Sequence, residues 1–186
     1  MSQVEFKAFQ KIPRFNREIV ITEKIDGTNS CIVVAEGGEV SAQSRNQFIT
    51  PSQDNYGFAS WVWNNAHTLG NLLGVGYHYG EWWGAGIQRR YGLTGDDKRF
   101  YLFNVSRWQD ADFSDVPELG VVPVLYRGQM SQQEIEIQLN KLRANGSQAA
   151  PGFMQPEGVV VWHEAAKQLF KITLLNDEKP KGSTEK

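Results

Sequence analysis

Glu23-Lys24-Ile25-Asp26-Gly27-Thr28-Asn29 sets a lysine at the end of a β-type run, Ile19 to Ile25, and carries the chain straight into a glycine turn. A lysine so placed is fixed to a rigid element while its tip faces a cleft. To act as a nucleophile it must lose its proton near neutral pH, which desolvation or a neighbouring cation makes possible. Asp26, two residues on, shares its side of the strand if the extended geometry continues, and can bind ribose or a metal-bound water. Gly27 lets the backbone turn close to a ligand. Alone, Lys-x-Asp-Gly equally describes a surface lysine before an ordinary turn, so the rest of the chain has to decide.

Outward from this stretch, short β-type runs dominate: Cys31 to Ala35, Val40 to Ser44, Tyr77 to Trp82, Phe100 to Val105, Gly120 to Leu125, Val159 to His163 and Leu169 to Leu174. Turn residues such as Gly37-Gly38 separate them. Two segments are helical in pattern. Asp54 to Leu73 repeats Phe58, Val62, Leu69, Leu72 and Leu73 at near-helical spacing behind Asp54 as N-cap. Ser131 to Ala144 opens on a capping box, Ser131 with Glu134, carries Ile135, Leu139 and Leu142 as one stripe, and stops at Asn145-Gly146. The expected architecture is α+β, two antiparallel-rich sheets with flanking helices over residues 1–175, followed by a polar tail over 176–186.

Composition narrows the class without naming a partner. The 186 residues suit one domain, and a formal net charge of −2 gives no overall basic field, so a nucleic-acid surface must be a local cluster of Lys and Arg. The single cysteine, Cys31, excludes an internal disulfide and a thiolate metal site, and fits a reducing compartment. No secretory or transit pattern opens the sequence and no apolar stretch is long enough to span a bilayer. A cytoplasmic protein without membrane contact is expected. His67, His78 and His163 lack metal-ligand spacing, and the six tryptophans read as core and cleft-wall residues.

Lys24 to Asn29, KIDGTN, resembles the nucleotidyltransferase motif of ATP-dependent polynucleotide ligases and capping enzymes, and is most similar to phage-type RNA ligases that seal nicks. The other motifs arrive in the same order. Ser44-Arg45-Asn46 resembles the second motif, Tyr79-Gly80-Glu81-Trp82 the third, and Phe100 to Val105 the next. Pro156-Glu157-Gly158-Val159-Val160 resembles the fourth and Phe170-Lys171-Ile172-Thr173 the fifth. From about Phe6 to Lys171 the resemblance covers nearly the whole chain.

The resemblance implies a catalytic pair, Lys24 and Lys171, and a nucleotide site of Glu23, Ile25, Asp26, Gly27, Asn29, Arg45, Glu81, Phe103, Glu157 and Lys171. Elementary chemistry agrees with several of these. Glu81 can accept hydrogen bonds from ribose hydroxyls. One of Tyr101 and Phe103 can stack on a purine, and the resemblance favours Phe103. Arg45 offers a forked cation to phosphate or sugar oxygens. Glu157, ahead of the apolar run Gly158 to Trp162, needs a compensating cation, either a divalent metal shared with Asp26 or the Lys24 ammonium. Lys171, between Phe170 and Ile172, is expected to be buried and to meet triphosphate. Thr173 stands where related ligases often carry a second lysine, and Lys167, Lys179 or Lys181 are possible substitutes. Gly84 to Tyr91 combines glycines with Arg89 and Arg90 and is the local candidate, with Arg45, for holding nucleic-acid phosphate.

The implied activity is ATP-dependent RNA ligation through a covalent lysyl-AMP adduct with Mg2+ or Mn2+, on RNA or nicked duplex ends, as in RNA repair. DNA ligation on the same fold, guanylyl transfer, and a non-catalytic nucleotide- or RNA-binding module are the alternatives. A monomer is expected, in the cytoplasm, or the host cytoplasm for a phage gene. Few residues follow Lys171, so substrate grip is expected to be weak unless an accessory protein or domain supplies it.

Overall fold

Alternation along the strand Glu18–Lys24, β1, decides how the chain is layered. Ile19, Ile21 and Glu23 point to one face, and Val20, Thr22 and Lys24 to the other. The computed structural model describes residues 4–175, 177 and 178, and within them β1 is paired on both sides. It runs antiparallel to β9 (Gly158–His163), with Thr22 opposite Val160 and Lys24 opposite Gly158, and antiparallel to β8 (Val124–Gln129). Strand β10 (Gln168–Thr173) closes the outer edge of β9, giving the order β10-β9-β1-β8.

A helix covers the isoleucine face of this sheet. Ile135, Leu139 and Leu142 of α4 (Gln132–Asn145) bury against Ile19, Ile21, Val159 and Val161. Ser131 caps the helix by accepting the Glu134 N–H at 3.2 Å. The Glu134 carboxylate accepts from the Gln138 side chain one turn on.

The second sheet has six strands: β2 (Thr28–Val34), β3 (Val40–Ser44), β4 (Phe48–Ile49), β5 (Gly76–Gly84), β6 (Lys98–Leu102) and β7 (Leu119–Val121), in the order β4-β3-β2-β5-β6-β7. On one face Ile32, Val34, Ala42, Trp82, Phe100 and Leu102 pack with Phe58, Val62, Leu69 and Leu73 of two helices, α1 (Phe58–Asn64) and α2 (Ala66–Leu73). From the other face Trp83 and Tyr101 meet Val20 and Trp162 of the first sheet, with Tyr91, Val105 and Val122 between them. The β1 lysine therefore opens toward the junction of the two sheets.

Three expected elements take a different form. The helix over Asp54 to Leu73 is broken at Asn65, whose backbone N–H and side-chain amide both bond the Trp61 carbonyl, at 3.1 and 2.9 Å. Asp54 still serves the helix start from outside it, accepting the N–H groups of Ala59 and Ser60 at 2.8 and 3.0 Å, across Gly57 with φ of 86°. The run Gly120 to Leu125 is divided at Pro123: β7 is parallel to β6 in one sheet, and β8 joins β1 in the other. The Pro123 carbonyl accepts the Glu23 N–H at 2.9 Å, fastening the crossover. The run Phe100 to Val105 ends as a strand at Leu102, because Asn104 caps a short helix, α3 (Val105–Trp108). No helix among the described residues is long and apolar enough to cross a membrane. Of the expected tail, residues 176 and 179–186 lie outside the described residues.

Glu23 ties the layers together. It is 1% exposed, and its carboxylate accepts the Ser147 hydroxyl and the N–H groups of Gln148 and Ala149, at 2.5, 2.7 and 3.0 Å. Burial raises its pKa despite those three donors, so the site is costly to fill and costlier to empty. Glu23→Ala leaves two backbone donors without a partner and is expected to lower unfolding free energy by about 2–4 kcal/mol. Chemical denaturation checks this; a loss below about 0.5 kcal/mol would show that the strut carries no load.

Candidate active site

Lys24 ends β1 on the cleft face, and the β1–β9 register places Glu157 beside it. The ammonium nitrogen lies 2.6 Å from Glu157 Oε2, with both side chains largely shielded from water. Of the two cations the sequence offered for Glu157, the structure supplies the lysine. The neighbour of Lys24 is thus an anion, and to act as a nucleophile the amine would have to leave that pairing.

The loop after Lys24 is braced from the second sheet. The Gly27 N–H donates to Glu81 Oε1 at 2.9 Å, and a side chain on Gly27 would run into the Trp82 carbonyl oxygen. Only glycine lets the loop lie this close to β5. Glu81 is paired in register with Asn29 on one side and Tyr101 on the other. These three share the face that looks toward the first sheet. Ile25 is buried in the core between the sheets.

Asp26 leaves the strand direction and is held at both ends. Its N–H donates to the Tyr91 hydroxyl at 2.8 Å, and its carboxylate accepts from Arg89 Nε at 3.1 Å. Arg89 also donates to the Gln155 carbonyl at 3.0 Å, linking the Asp26 loop to the approach to β9. Sequence reasoning gave Arg89 to nucleic-acid phosphate; the structure spends it on Asp26, and only Arg90 of that pair is exposed. Nothing in the sequence marks Tyr91 itself as a site residue. Its place beside two arginines is the nearest signal, but its buried ring, packed 4.6 Å from Phe153, is what fixes it.

Two further expectations need correction. The Glu23 side chain points away from Lys24 and serves the strut described above, so its carboxylate does not face the cleft. Lys171 is not buried: it lies on the edge strand and is exposed. Its register opposite Val160, which faces Thr22, nevertheless puts it on the Lys24 face, with Cα atoms about 12 Å apart from strand spacing and rise. Both side chains can reach one extended polyanion. Thr173 bonds the Asp177 carboxylate and the Leu175 carbonyl. Lys167 pairs with Glu164 at the far turn of the β9–β10 hairpin and is no substitute for the missing lysine. Lys179 and Lys181 lie outside the described residues.

Between the two candidate rings the structure makes a division. Tyr101 packs edge-on against Trp83 at 5.0 Å in the core, whereas Phe103, just beyond β6, is 39% exposed. The Phe103 N–H donates to the Tyr79 carbonyl at 3.0 Å, which sets the ring one side-chain step along the face from Glu81. Arg45 is exposed on the β3–β4 turn; Ser44 lies opposite Ser30, so that turn stands at the Asn29 end of the sheet. Cys31 is buried, and burial pushes its thiol up to about 11, well away from reactivity at neutral pH.

For the metal expected on Asp26 and Glu157, no group of three or more His, Cys, Asp or Glu is arranged to hold an ion among the described residues. Each carboxylate faces a cation of the chain, Arg89 or Lys24. These two are not a preformed metal cage.

Electrostatics concentrate on Glu81. Burial, with Glu157 and Asp26 nearby, pushes its carboxyl up to about 7, while the Gly27 N–H and Lys24 pull the other way. Between about pH 4.5 and 7 the folded protein keeps a proton that the unfolded chain has released, so stability falls as pH rises through that window. The loss is about 3 kcal/mol when complete. Glu81→Gln keeps an acceptor for Gly27 and removes the charge. Unfolding followed from pH 4.5 to 8 should show a flatter profile and higher stability at neutral pH for this variant; an unchanged slope would mean that Glu81 does not carry it.

The RNA ligase family model matches residues 17–173. No curated protein sequence matches the chain. Among solved structures, an apo variant of a Naegleria gruberi RNA ligase is similar with a TM-score of 0.61 and 20% identity, over 84% of this chain and 49% of that one. A Naegleria gruberi RNA ligase variant with AMP and Mn gives 0.57 and 18%, over 86% and 50%. An archaeal ATP-dependent RNA ligase gives 0.58 and 18%, over 90% and 48%. The chain spans about half the length of these relatives, and the matches share its two-sheet fold. With the family model covering β1 through β10, the chain belongs to the RNA ligase family.

Proposed function

We propose that this chain is the adenylylating unit of an ATP-dependent RNA ligase, with Lys24 as the residue that becomes covalently modified. One observation carries the reading: a lysine at the junction of two sheets, pinned by Glu157 and surrounded by the carboxylates of Asp26 and Glu81. A structural lysine needs one anion. This one sits among three, with a glycine-tight loop and an exposed ring beside it.

The Lys24 amine, freed from Glu157 and deprotonated, attacks the ATP α-phosphorus. A P–N bond forms, the bond to the bridging oxygen breaks, and pyrophosphate leaves with the electron pair. A 5′-phosphate oxygen then displaces the lysine, forming a 5′–5′ pyrophosphate linkage and returning the amine. Attack by a 3′-hydroxyl on the original 5′-phosphorus seals the strand and expels AMP.

Side-chain roles follow from position. Glu81 and Asn29 face the ribose, Phe103 the purine, and Lys171 and Arg45 the phosphates. Lys24 and Arg89 are already paired with Glu157 and Asp26, so a bound triphosphate would be left with Lys171 and Arg45 as its cations from the chain. A divalent ion, Mg2+ or Mn2+, would supply charge neutralisation at the phosphates. Its arrival with the nucleotide fits the lack of a preformed cage, and the neighbour that holds AMP with Mn supports this choice.

Incubation with ATP and Mg2+ should add the mass of one AMP to the intact protein. Lys24→Ala should abolish the addition and Cys31→Ser should leave it. No adduct in the wild-type chain would overturn the enzyme reading in favour of a binding module, while an adduct with sealing only of DNA nicks would move the substrate to DNA. Phe103→Ala should weaken ATP use about ten- to a hundredfold, from about 1–3 kcal/mol of lost stacking, and Phe103→Tyr should be mild. An unchanged apparent ATP affinity in Phe103→Ala would remove that ring from the site.

A further inference from the structure

Residues 4–17 form an arm that the domain does not use. Phe6 and Phe9 are 91% and 94% exposed, and Ile12 and Phe15 are 85% and 72% exposed. Among the described residues no helix or strand occurs before β1. The base alone is fastened. The Phe15 ring lies against His163 at 6.1 Å, and its carbonyl is 2.7 Å from His163 Nε2. His163 Nδ1 accepts the Ala166 N–H, so Nε2 carries the hydrogen and donates to Phe15. The Arg17 carbonyl accepts the Met130 N–H at 2.8 Å.

The arm has two rows. Phe6, Phe9, Ile12 and Phe15 recur every third residue, and so do Lys11, Arg14 and Arg17, while Lys7, four residues before Lys11, lies beside that row. An extended chain with three residues per turn puts each row on its own side, with charges in a row about 9 Å apart. Charge is divided as sharply. Lys7, Lys11, Arg14 and Arg17 against Glu5 alone give this segment +3, whereas the whole sequence is −2, so the remaining residues carry −5. The arm is the basic part of an acidic protein. Its base stands one length of β1 from Lys24, about 20 Å from the reacting lysine, or roughly six nucleotides of a strand.

We infer that residues 4–17 are a single-strand-binding arm, in which the basic row follows the phosphates of an unpaired flank of the substrate and the aromatic row stacks on its bases. The inference rests on the ligase reading for its substrate but not for its measurement. Charge selects a polyanion. Exposed rings interleaved with cations select one with open base faces over a paired duplex, whose bases are covered. A protein partner would satisfy the rings but leave the basic row unexplained.

The test is binding of a fluorescent 12-nucleotide single-stranded RNA and of a blunt duplex, without ATP, across a salt series. Phe6→Ser with Phe9→Ser should weaken single-strand binding at least tenfold and change duplex binding little. Lys7→Gln, Lys11→Gln and Arg14→Gln together should reduce the log-log salt slope on the single strand by about 2. Both variants should keep wild-type Tm and wild-type formation of the AMP adduct, since the arm lies outside the folded domain. Single-strand affinity unchanged in the phenylalanine variant would overturn the arm, as would equal losses on duplex and single strand. A wild-type dimer that the phenylalanine variant turns into a monomer would assign the aromatic row to a second copy and overturn it too. A wild-type chain that binds through the arm yet forms no adduct would sink the ligase reading and leave the arm standing.

Discussion

The pairing of Lys24 with Glu157 is the constraint on which the site depends. It exists because β1 and β9 run antiparallel with Lys24 opposite Gly158, which sets the residue before Gly158 against the lysine. A one-residue slip would turn Lys24 under α4 and Glu23 into the cleft. The isoleucine face of β1 forbids that slip, because Ile19 and Ile21 are fully buried against α4 and Glu23 is satisfied only by the loop at 147–149. The core that stabilises the sheet therefore also fixes which side chain becomes the candidate nucleophile.

Around this pair the protein accumulates negative charge and restrains it by geometry. Asp26 is held by Arg89 and Tyr91, Glu157 by Lys24, and Glu81 by one backbone N–H. Glu81 is the least compensated of the three, and its carboxyl is accordingly pushed up to about 7. Such an arrangement is expensive by itself and would become favourable on entry of the hydroxyls and metal-bound phosphates of the proposed nucleotide. It links fold stability to ligand binding, since whatever stabilises the cleft charges also stabilises the junction of the sheets.

Much of this was legible in the residues. Alternation gave the strands, the Ser131 cap and Gly146 gave α4, and Lys24 to Asn29 with Glu81 and Glu157 marked the cleft. What was hidden depended on partners distant in sequence. Glu23 and Lys24 are neighbours with opposite fates, and only the two faces of β1 separate them. Lys171 reads as buried because Phe170 and Ile172 flank it, but β10 is an edge strand and its outward positions meet water. Arg89 reads as a free cation because Asp26 lies 63 positions away. The apolar row before β1 has neither helical nor strand period and so carries no signal in the sequence; its spacing of three gains meaning once the structure leaves it uncovered.

The central claim is chemical: one lysine, set by β1 and β9, takes AMP through nitrogen. Proteolytic mapping of ATP-treated protein tests it most directly, by fragmenting the mass-shifted peptide to locate the nucleotide and treating it with acid, which cleaves P–N bonds readily. The account predicts AMP on Lys24 alone, lost in acid and retained in base. AMP on Lys171 or any other residue, or a linkage stable to acid, would contradict it.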